Sequence, residues 1–586
     1  MTETNENLCK KGKLHVKQEA VIFAALFLVI SLVAVYFTTQ KQGYELDELY
    51  SFGYANGSYM PLMEGTTQEY TLKNFIDEYV FADSFGKTVN NFLAGVQDIF
   101  QNGIKESNLY KEYKRAMLCE KELAWHDAEY FRNYITAEPG AQFEYLSVYN
   151  NMYYDNHPPF YLMLIHTMSS LFPGQFSKYM GFAINYLALM GSCAMLYALV
   201  KRLSGSAFMA QGIMLTYGLS TGFTASMTFY RMYGVLTFFT LWFVYAHVCL
   251  LQSDWVFTPK RVIALGASAI LGFYTHYYFI VFAALLAFFT LVLQVVQKNT
   301  KAIKQYLLTG FCAGVISFII WPFSIWRILF SYRSYDALEQ LKTGDHWLRL
   351  QEYSAIVRDN VFAGSNFLLV LAVAAIITAF VLAYRQGKKK TVAIGLLMLL
   401  PVILDIFIIS NVAPYSRERY IANTFPFIVA GVAFAVTYLF QLVTKATKIT
   451  LKNVIIPLAV CVGVSAVGLI TVPQEHLYPV SAAKQELLQK YEGSKCIFAY
   501  KKWSKYTQNV LDFLHYDETL LLEIENMDYL YSQAADLQGQ DVLLYIDREL
   551  DYQEITALIK QNMHAADVEL LSTDAGGYAD IYHICW

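Results

Sequence analysis

The run AVIFAALFLVISLVAVYFTT, residues 20–39, is the first of several long apolar stretches in this chain of 586 residues. About 20 apolar residues in a helix cross a bilayer core about 30 Å thick, so the run predicts a membrane-spanning helix. Four lysines precede it, and the positive-inside rule places their end of the helix in the cytoplasm: Lys10, Lys11, Lys13 and Lys17. The alternative, a cleavable signal peptide, is disfavoured because no small-residue cleavage site follows Thr39.

The composition indicates the class of protein. Hydrophobic residues make up 56% of the chain and charged residues 16%, whereas a soluble domain carries about 25% charged residues. These values exclude an ordinary soluble enzyme, and 16% aromatic residues exclude a disordered chain. The net charge of −4, without a basic tail, indicates no nucleic-acid partner. The eight cysteines show no CxxC spacing, so they indicate no zinc or redox motif.

Further apolar runs bring the predicted number of transmembrane helices to about eleven. They lie at residues 181–200, 207–219, 235–251, 262–273, 277–296, 306–326, 367–384, 392–409, 421–442 and 454–472. Basic clusters occupy every second connection, at residues 201–202, 260–261, 298–304, 385–390 and 445–452. All five become cytoplasmic if residues 160–172 form an interfacial or re-entrant helix on the outer side and do not cross the membrane.

This topology turns three larger segments outward: residues 41–156, 331–366 and 473–586. The first contains an apolar stripe at helical spacing: Val89, Phe92, Leu93, Val96, Ile99 and Phe100. Such a helix either lies on the outer membrane surface or packs on neighbouring protein.

The last segment reads as a small α/β domain. Residues 496–500, 541–546, 568–572 and 581–585 are strand-like, and residues 503–515 and 552–561 are helix-like. The segment is acidic, with 19 Asp and Glu against 8 Lys and Arg. Cys496 and Cys585 lie on predicted strands of an outward domain, where a disulfide could form.

The predicted fold is therefore an α-helical polytopic membrane protein with outer juxtamembrane helices and a small C-terminal extracytoplasmic α/β domain. We divide it into a cytoplasmic N-terminus (1–19), a transmembrane catalytic domain (20–472) that includes the large outer loop 41–156, and the α/β domain (473–586). The protein is expected in the cell membrane, with several spans and the lipid bilayer as a partner.

Two adjacent acids follow the first span, in the sequence YELDELY, residues 44–50. Carboxylates at a membrane surface, flanked by aromatic residues, can supply a general base for an acceptor hydroxyl or amine and a neighbour that orients it. The alternative is that Asp47 and Glu48 are solvated loop acids.

A second motif, DNHPPFY, spans residues 155–161. Two consecutive prolines cannot lie inside a helix but can start one. They would hold Asp155 and His157 at a defined height beside the bilayer. A structural helix start with an incidental acid explains the prolines but neither of those two residues.

Three further motifs lie at predicted outer ends of spans: FYRMY (229–233), YTHYY (274–278) and YSRERY (415–420). An arginine at membrane depth needs a partner, which for Arg231 is either a lipid phosphate or tyrosine and carbonyl groups. The tyrosines around His276 suit an interfacial aromatic belt. Arg419 suits bidentate phosphate binding, although Glu418 can pair with an arginine here instead.

The inferred topology places all five motifs on one face of the membrane. A carboxylate base, arginines for phosphate and an aromatic-lined entrance are what transfer from a membrane phospholipid donor to an outward acceptor requires.

On these motifs the chain resembles the polytopic GT-C glycosyltransferases, in the branch of the protein O-mannosyltransferases, the aminoarabinose transferases and the bacterial transferases of the dolichyl-phosphate-mannose-protein mannosyltransferase type. The resemblance covers about the first 470 residues. It rests on Asp47-Glu48, on Asp155 with His157-Pro158-Pro159-Phe160-Tyr161, on Tyr274-Thr275-His276-Tyr277, and on Arg419-Tyr420 with Pro426.

The resemblance implies an inverting transfer of one sugar from a polyprenyl-phosphate donor to an extracytoplasmic acceptor, which would be an envelope glycan, a lipid or a protein. It implies Asp47 as the catalytic base and Glu48 as an acceptor contact. Arg419 and Arg231 would bind the donor phosphate, and Asp155, His157 and His276 would shape the site. The family usually has Glu-Ala where this chain has Phe229-Tyr230, and this departure weakens the assignment of Arg231.

We expect no metal and no cofactor other than the lipid-linked sugar phosphate, because arginines can neutralise the leaving phosphate and no His/Asp cluster has metal-ligand spacing. One competing hypothesis is a transporter or flippase of a lipid-linked glycan, which should show internal repeats. Another is an outward sensor or scaffold, which leaves the motifs of the outer face unexplained.

Overall fold

The structure is a computed structural model that describes residues 2–63, 72–80, 84–103, 106–117, 123–445, 451–501, 505–575 and 578–586. The chain divides into two units. The first, the helical unit, comprises Met1–Gln42, Asn156–Tyr161 and Lys178–Tyr478. The second, the mixed unit, comprises Gly43–Asp155, Leu162–Ser177 and Pro479–Trp586.

The first 170 residues contain one long helix, several short helices and one short strand. They are α1 (Thr2–Gln40), α2 (Leu46–Asn56), α3 (Leu72–Phe75), a π-helical turn (Ile76–Val80), α4 (Phe85–Asn102), α5 (Asn108–Met117), β1 (Trp125–Asp127), α6 (Ala128–Ile135), α7 (Tyr145–Asn151), a 3-10 turn (Met152–Tyr154) and α8 (Phe160–Ser170).

The helical unit continues with fourteen described helices between residues 178 and 471. They are α9 (Lys178–Ser204), α10 (Ala207–Gly218), α11 (Thr221–Thr228), α12 (Tyr233–Leu251), α13 (Pro259–Thr275), α14 (Phe279–Val296), α15 (Thr300–Ile320), α16 (Phe323–Phe330), α17 (Tyr332–Thr343), α18 (His346–Val361), α19 (Asn366–Arg385), α20 (Lys389–Val412), α21 (Phe425–Val443) and α22 (Leu451–Thr471). A 3-10 segment, Glu418–Thr424, precedes α21.

Among the described residues, nine helical segments are long and apolar enough to cross a membrane, which confirms a polytopic helical fold. They are Lys17–Gln40, Lys178–Ser204, Tyr233–Leu251, Phe279–Val296, Thr300–Ile320, Asn366–Arg385, Lys389–Val412, Glu418–Val443 and Leu451–Thr471. The other two of the eleven predicted spans are shorter helices. The first, α10, has 12 residues, because the helix ends before Ser220, whose side chain caps the next helix, α11. The second, α13, has 17 residues.

The apolar stretch after the two prolines forms α8, a helix of 11 residues. At 1.5 Å per residue it is about 16 Å long, roughly half the thickness of a bilayer core. It is therefore too short to cross a bilayer core by itself.

The mixed unit contains one six-stranded sheet. After residue 480 the elements are α23 (Ala482–Lys490), β2 (Lys495–Tyr500), α24 (Val510–Phe513), β3 (Glu518–Glu523), α25 (Met527–Ser532), α26 (Ala534–Leu537), β4 (Val542–Asp547), α27 (Tyr552–Met563), β5 (Asp567–Ala575) and β6 (Ala579–Cys585). The strand order is β1-β3-β2-β4-β6-β5. The central strands β3, β2 and β4 are parallel, and the outer pairs are antiparallel.

The predicted α/β domain is confirmed in its four strands, while two strands were missed. Almost every residue of β2 and β4 is buried, as is typical of central parallel strands. The missed strand β1 is only three residues long, and it comes from the first loop, where it pairs antiparallel with β3. The sheet of the mixed unit thus takes one edge strand from the segment between the first two spans.

The possible disulfide between Cys496 and Cys585 does not form. Both side chains are free thiols. Cys496 lies on β2 opposite Leu543 of β4, and Leu543 lies opposite His583 of β6. Two strand spacings separate the cysteines by about 10 Å, beyond the Cα separation of about 7 Å that a disulfide tolerates.

Two predicted helices of the mixed unit differ in outcome. The stripe around Val89 forms α4. Its Leu93 and Phe100 side chains are 57% and 86% exposed, whereas Val96 and Ile99 are half-buried. The side chain of Phe92 lies outside the described part. The helix predicted at 503–515 begins outside the described residues. Its described part is a 3-10 turn, Tyr506–Asn509, followed by α24.

Candidate active site

The predicted site residues divide between the two units, and the boundary falls between Asp155 and Asn156. Asp47, Glu48 and Asp155 belong to the mixed unit. His157, Arg231, His276 and Arg419 belong to the helical unit.

The two acids form the first turn of α2. Glu45 is the N-cap residue, and its Oε2 accepts the amide hydrogen of Asp47 at 2.7 Å. The Oε2 atom of Glu48 accepts the amide hydrogen of Glu45 at 2.8 Å. This reciprocal pair is a capping box with Glu in place of the usual Ser or Thr. It explains why the helix begins here and why Glu48 is fully buried.

Asp47 differs from its neighbour because its carboxylate takes no part in the capping box. The side chain is half-buried in the first turn of α2. A helix N-terminus stabilises a negative charge, so this position favours the ionised carboxylate, which is the form that a general base needs.

Asp155 follows a 3-10 turn that is tied to α2 through Asn151. The Nδ2 atom of Asn151, which is buried, donates to the carbonyl oxygens of Tyr54 at 3.1 Å and of Gly57 at 2.7 Å. These carbonyls lie at the C-terminal end of α2, and α7 is thereby fixed against it. The mixed unit therefore holds the helix of Asp47 and the segment that leads to Asp155 in one packed arrangement.

His157 and His276 come together in the helical unit. Their ring centroids are 5.3 Å apart, and the ring of Tyr233 is 5.4 Å from that of His276. The Nδ1 atom of His276 accepts the amide hydrogen of Tyr278 at 3.0 Å, so the neutral ring carries its proton on Nε2. His276 is 5% exposed. The two histidines that were predicted from separate motifs thus share one aromatic cluster.

The turn that carries Arg231 is held by a buried asparagine that the sequence analysis did not single out. The Nδ2 atom of Asn185, on α9, donates to the carbonyl oxygens of Ser226 at 3.0 Å and Phe229 at 2.7 Å. Its Oδ1 accepts the hydroxyl hydrogen of Tyr161 at 3.3 Å. A single asparagine within the apolar run 181–200 was the available signal, because a buried amide in a membrane helix needs partners.

Arg231 and Arg419 both contact Phe229, the first through its backbone amide and the second through its guanidinium. Arg231 is 5% exposed, and its amide donates to the carbonyl of Phe229 at 2.8 Å. The guanidinium of Arg419 lies 5.2 Å from the ring centroid of Phe229 and 5.5 Å from that of Tyr420. Phe229, which stands where the resembled family usually has Glu, therefore provides a surface for an arginine.

His476 and Glu418 also lie at Phe229. The ring of His476 stacks on Phe229 at 4.4 Å and 22°. Its Nε2 lies 2.6 Å from Oε1 of Glu418, and its Nδ1 lies 3.1 Å from the hydroxyl of Tyr478. Glu418 was expected to be able to pair with an arginine, but it pairs with a histidine 58 residues away in the chain.

Lys41 is the cation that sequence reasoning missed. It is 1% exposed, and its Nζ donates to the carbonyl of His476 at 2.9 Å. The same Nζ lies 4.9 Å from the ring centroids of Tyr230 and Tyr478. The available signal was its position as the first charge after the first span, where a cation is costly unless it has partners.

Glu418, Glu475 and His476 are a group of described residues whose ligand atoms could hold a metal ion, since these atoms lie within 4.8 Å of one another. His476 and Glu418 are already hydrogen-bonded to each other, so this pair is satisfied by protein groups. The expectation of a reaction without a metal stays a prediction.

Comparison with known proteins gives similarity to solved structures alone. No family model matches the chain, and no curated protein matches it either. The chain is similar to the structure of ArnT from Cupriavidus metallidurans bound to undecaprenyl phosphate, with 12% identity and a TM-score of 0.49 over 96% of this chain and 97% of that chain. It is also similar to the same ArnT in the apo state, with 13% identity and a TM-score of 0.41 over 73% of this chain and 87% of that chain.

Proposed function

We propose that this protein is a membrane glycosyltransferase that transfers one sugar from a polyprenyl-phosphate donor to an extracytoplasmic acceptor, with inversion at the anomeric carbon. The acceptor class is an envelope glycan, a lipid or a protein. The observation that carries the proposal is the Arg419 guanidinium on the ring of Phe229, with the buried Arg231 two residues after Phe229 in the chain and the His157–His276 cluster in the same unit.

The guanidinium of Arg419, which lies on the ring of Phe229, suits a phosphate ligand. Arginine keeps its charge at any physiological pH and offers planar, bidentate hydrogen bonding to phosphate oxygens. An arginine stacked on an aromatic ring keeps its edge available for a ligand. We therefore assign Arg419 and Arg231 to the donor phosphate.

Of the two adjacent acids, we assign Asp47 as the general base. The Oε2 atom of Glu48 accepts the backbone amide hydrogen of Glu45, whereas the carboxylate of Asp47 lies outside that capping box. Asp47 takes the proton from the acceptor hydroxyl or amine, and the resulting nucleophile attacks the anomeric carbon. The bond between that carbon and the phosphate oxygen breaks, and polyprenyl phosphate leaves with both electrons of the bond. The arginines stabilise its charge, so the proposed reaction needs no metal.

The other predicted residues position these groups. Glu48 holds the turn that carries Asp47, in addition to the acceptor contact that the resemblance implies. His157 and His276 form the aromatic cluster beside Tyr233, and we assign them, with Asp155, to shaping the space that the sugar occupies.

We also propose the orientation of the chain, with the N-terminus in the cytoplasm and the C-terminal sheet outside. Labelling of a cysteine introduced at Ser204 from the cytoplasmic side, and of one at Ser334 from the outside, would agree with it. The reverse pattern would contradict it.

The function is tested by deleting the gene and comparing envelope glycans and polyprenyl-phosphate sugars by mass spectrometry. We expect one sugar to disappear from an acceptor while its polyprenyl-phosphate form accumulates, and we expect wild-type protein but not Asp47→Asn to reverse both changes. Unchanged glycans and donors would contradict the proposal. A flippase, which forms no covalent bond, would give no sugar transfer by the purified protein in detergent.

A further inference from the structure

A second site lies within the helical unit, away from the residues assigned above. A cavity of about 360 Å³ is bordered by α9, α10, α19, α20 and α21. It reaches the last turn of α9 at Ser204 and the first turn of α20 at Thr391. Arg231 and Arg419 of the candidate active site lie at the opposite ends of the same helices, since Arg419 comes before the first turn of α21 and Gln441 lies in its last turn.

The cavity follows α21 as a groove. Its lining side chains from this helix recur every three or four residues, as one face of a helix does: Phe427, Ala430, Phe434, Thr437, Tyr438 and Gln441. Fourteen residues separate the first from the last, which is about 21 Å of helix. This length exceeds half of a bilayer core about 30 Å thick, so the groove has the length of a chain from one leaflet.

The lining changes in polarity along the groove. The interior is apolar, whereas the polar lining residues all lie at the end where α9 and α21 finish and α20 begins: Ser204, Gln252, Thr391, Thr437, Tyr438 and Gln441. This is the polarity of one lipid molecule, with a hydrocarbon chain inside and an ester and head group at the mouth.

Two polar atoms in this groove have no hydrogen-bond partner among the described residues. They are Oγ1 of Thr437, whose residue is 2% exposed, and Nε2 of Gln441, one turn further along the same face. Buried hydroxyl and amide groups are normally paired, and a lipid provides acceptors at this depth through its ester carbonyl and phosphate oxygens.

The mouth of the groove is basic. Lys388 lies 4.7 Å above the ring of Tyr438, whose hydroxyl donates to Oε1 of Gln386 at 3.0 Å. Lys201 lies in the last turn of α9, near the lining residue Ser204, and forms an ion pair with Glu19. Cations at a membrane interface attract anionic head groups.

We propose that this groove binds an anionic phospholipid of the leaflet at the basic end of the bundle. One acyl chain fills the groove along α21, Thr437 and Gln441 donate to ester and phosphate oxygens, and Lys388 faces the head group. The polyprenyl donor is a different ligand, because its phosphate is assigned to Arg419, before the other end of α21. The site does not depend on the proposed transferase function.

The test uses the full-length protein, purified in detergent and delipidated, with native mass spectrometry as the readout. The probes are phosphatidylglycerol, phosphatidylethanolamine and undecaprenyl phosphate. We expect wild type to retain phosphatidylglycerol at least tenfold better than phosphatidylethanolamine, and the nearly isosteric double variant Thr437→Val/Gln441→Leu to lose that retention about tenfold.

The matched control is Thr444→Val at the C-cap of the same helix, where the hydroxyl donates to the carbonyl of Phe440 and the side chain is exposed. It should retain phosphatidylglycerol like wild type. Since the double variant changes shape little, an unchanged elution profile verifies its fold. A filling variant, Ala430→Phe, should lose the lipid as well.

Three results would overturn the proposal. The first is equal retention of phosphatidylglycerol by wild type and by the folded double variant. The second is equal retention of the two phospholipids by wild type, which removes the anionic specificity. The third is retention of undecaprenyl phosphate that the double variant loses, which would assign the groove to the donor. Lipid retention is measured separately from sugar transfer, so a variant that fails to transfer sugar still tests the lipid site.

Discussion

The two units hold their predicted site residues by different physical means. In the mixed unit, Asp47 and Glu48 are placed by short, directional hydrogen bonds to backbone amides within one helix turn. In the helical unit, Arg419 lies 5.2 Å from the ring centroid of Phe229, and Lys41, which was not predicted, lies 4.9 Å from that of Tyr230. A directional cap fixes one geometry, whereas a cation on a ring can slide at little cost. The comparison indicates a rigid helix turn that carries the proposed base, and an adaptable phosphate clamp formed by Arg419 on the ring of Phe229.

The largest effect should come from the base. Replacing Asp47 with Asn removes the proton acceptor and keeps the first turn of α2, because the capping box uses Glu45 and Glu48. We expect sugar transfer to fall at least about a hundredfold with the melting temperature unchanged. The readout is transfer from a labelled polyprenyl-phosphate sugar, and Glu138→Gln, an exposed acid of the same unit, is the control. Normal turnover by Asp47→Asn would show that Asp47 is not the general base.

The phosphate clamp is tested by comparing two neighbouring arginines. Arg419→Gln removes a charged donor to the phosphate, an interaction of about 1.5–3 kcal/mol, so affinity for undecaprenyl phosphate should fall about ten- to a hundredfold. Arg417→Gln, whose side chain is exposed, should bind like wild type. Measurements at several donor concentrations separate binding from turnover. Equal losses in both variants would indicate a general charge effect.

The adaptable character of the clamp depends on Phe229. Phe229→Leu keeps an apolar side chain but removes the ring under Arg419 and beside His476. A cation–π contact contributes about 0.5–2 kcal/mol, so donor affinity should fall several-fold, and less than in Arg419→Gln. Combining both changes should add little to the loss from Arg419→Gln alone. Fully additive losses would show that Phe229 acts independently of Arg419.

The rigid side of the comparison is tested at Glu48. Glu48→Ala removes one half of the capping box and should lower the free energy of unfolding by about 1 kcal/mol, whereas Glu48→Gln can still accept the Glu45 amide hydrogen and should lower it less. Thermal unfolding of the purified variants checks this order. A loss of transfer in Glu48→Gln at full stability would favour the acceptor contact instead.

The smallest effect concerns pH and His166 of α8, outside the membrane spans. Burial lowers the pKa of His166 below its ordinary value of 6.5, although hydrogen bonds to backbone groups oppose this shift. The folded protein therefore favours the neutral ring, whose Nδ1 lies 3.3 Å from Oδ1 of Asn56. Its stabilising effect is complete above pH 6.5 and is lost as the pH falls from 6.5 through the lower folded pKa. In the variant His166→Gln, the melting temperature should depend less on pH in that window. A pH dependence equal to that of wild type would contradict this prediction.

Much of the fold was predictable because membrane helices are locally encoded. Each span needs about 20 apolar residues and satisfies its own backbone, so a window of sequence is enough to find it. The exceptions follow from the same rule. The run at 207–219 becomes the short helix α10 because Ser220 starts a new one, and a break of that kind depends on one capping side chain. The strand β1 was missed because three residues carry no period, and it exists through its pairing with β3.

The candidate site was predictable to the extent that charge is rare in a membrane chain. Three charged residues could be identified from the sequence, because a charge near a bilayer is costly and usually has a partner or a function: Asp47, Arg231 and Arg419. Asn185, Lys41 and His476 were missed because their meaning lies in partners far away in the chain. Lys41 and His476 are separated by 435 positions in the sequence, so no local pattern indicates their contact.

The sequence by itself determined that this is a polytopic membrane protein with a small sheet domain, and it identified most of the charged residues at the candidate site. The reason is that transfer of a helix into hydrocarbon depends on local composition. The tertiary structure alone decided that Glu418 pairs with His476, that Phe229 lies under Arg419 and that Cys496 and Cys585 stay apart. Such contacts depend on distances between elements that chain topology brings together, and composition does not encode those distances.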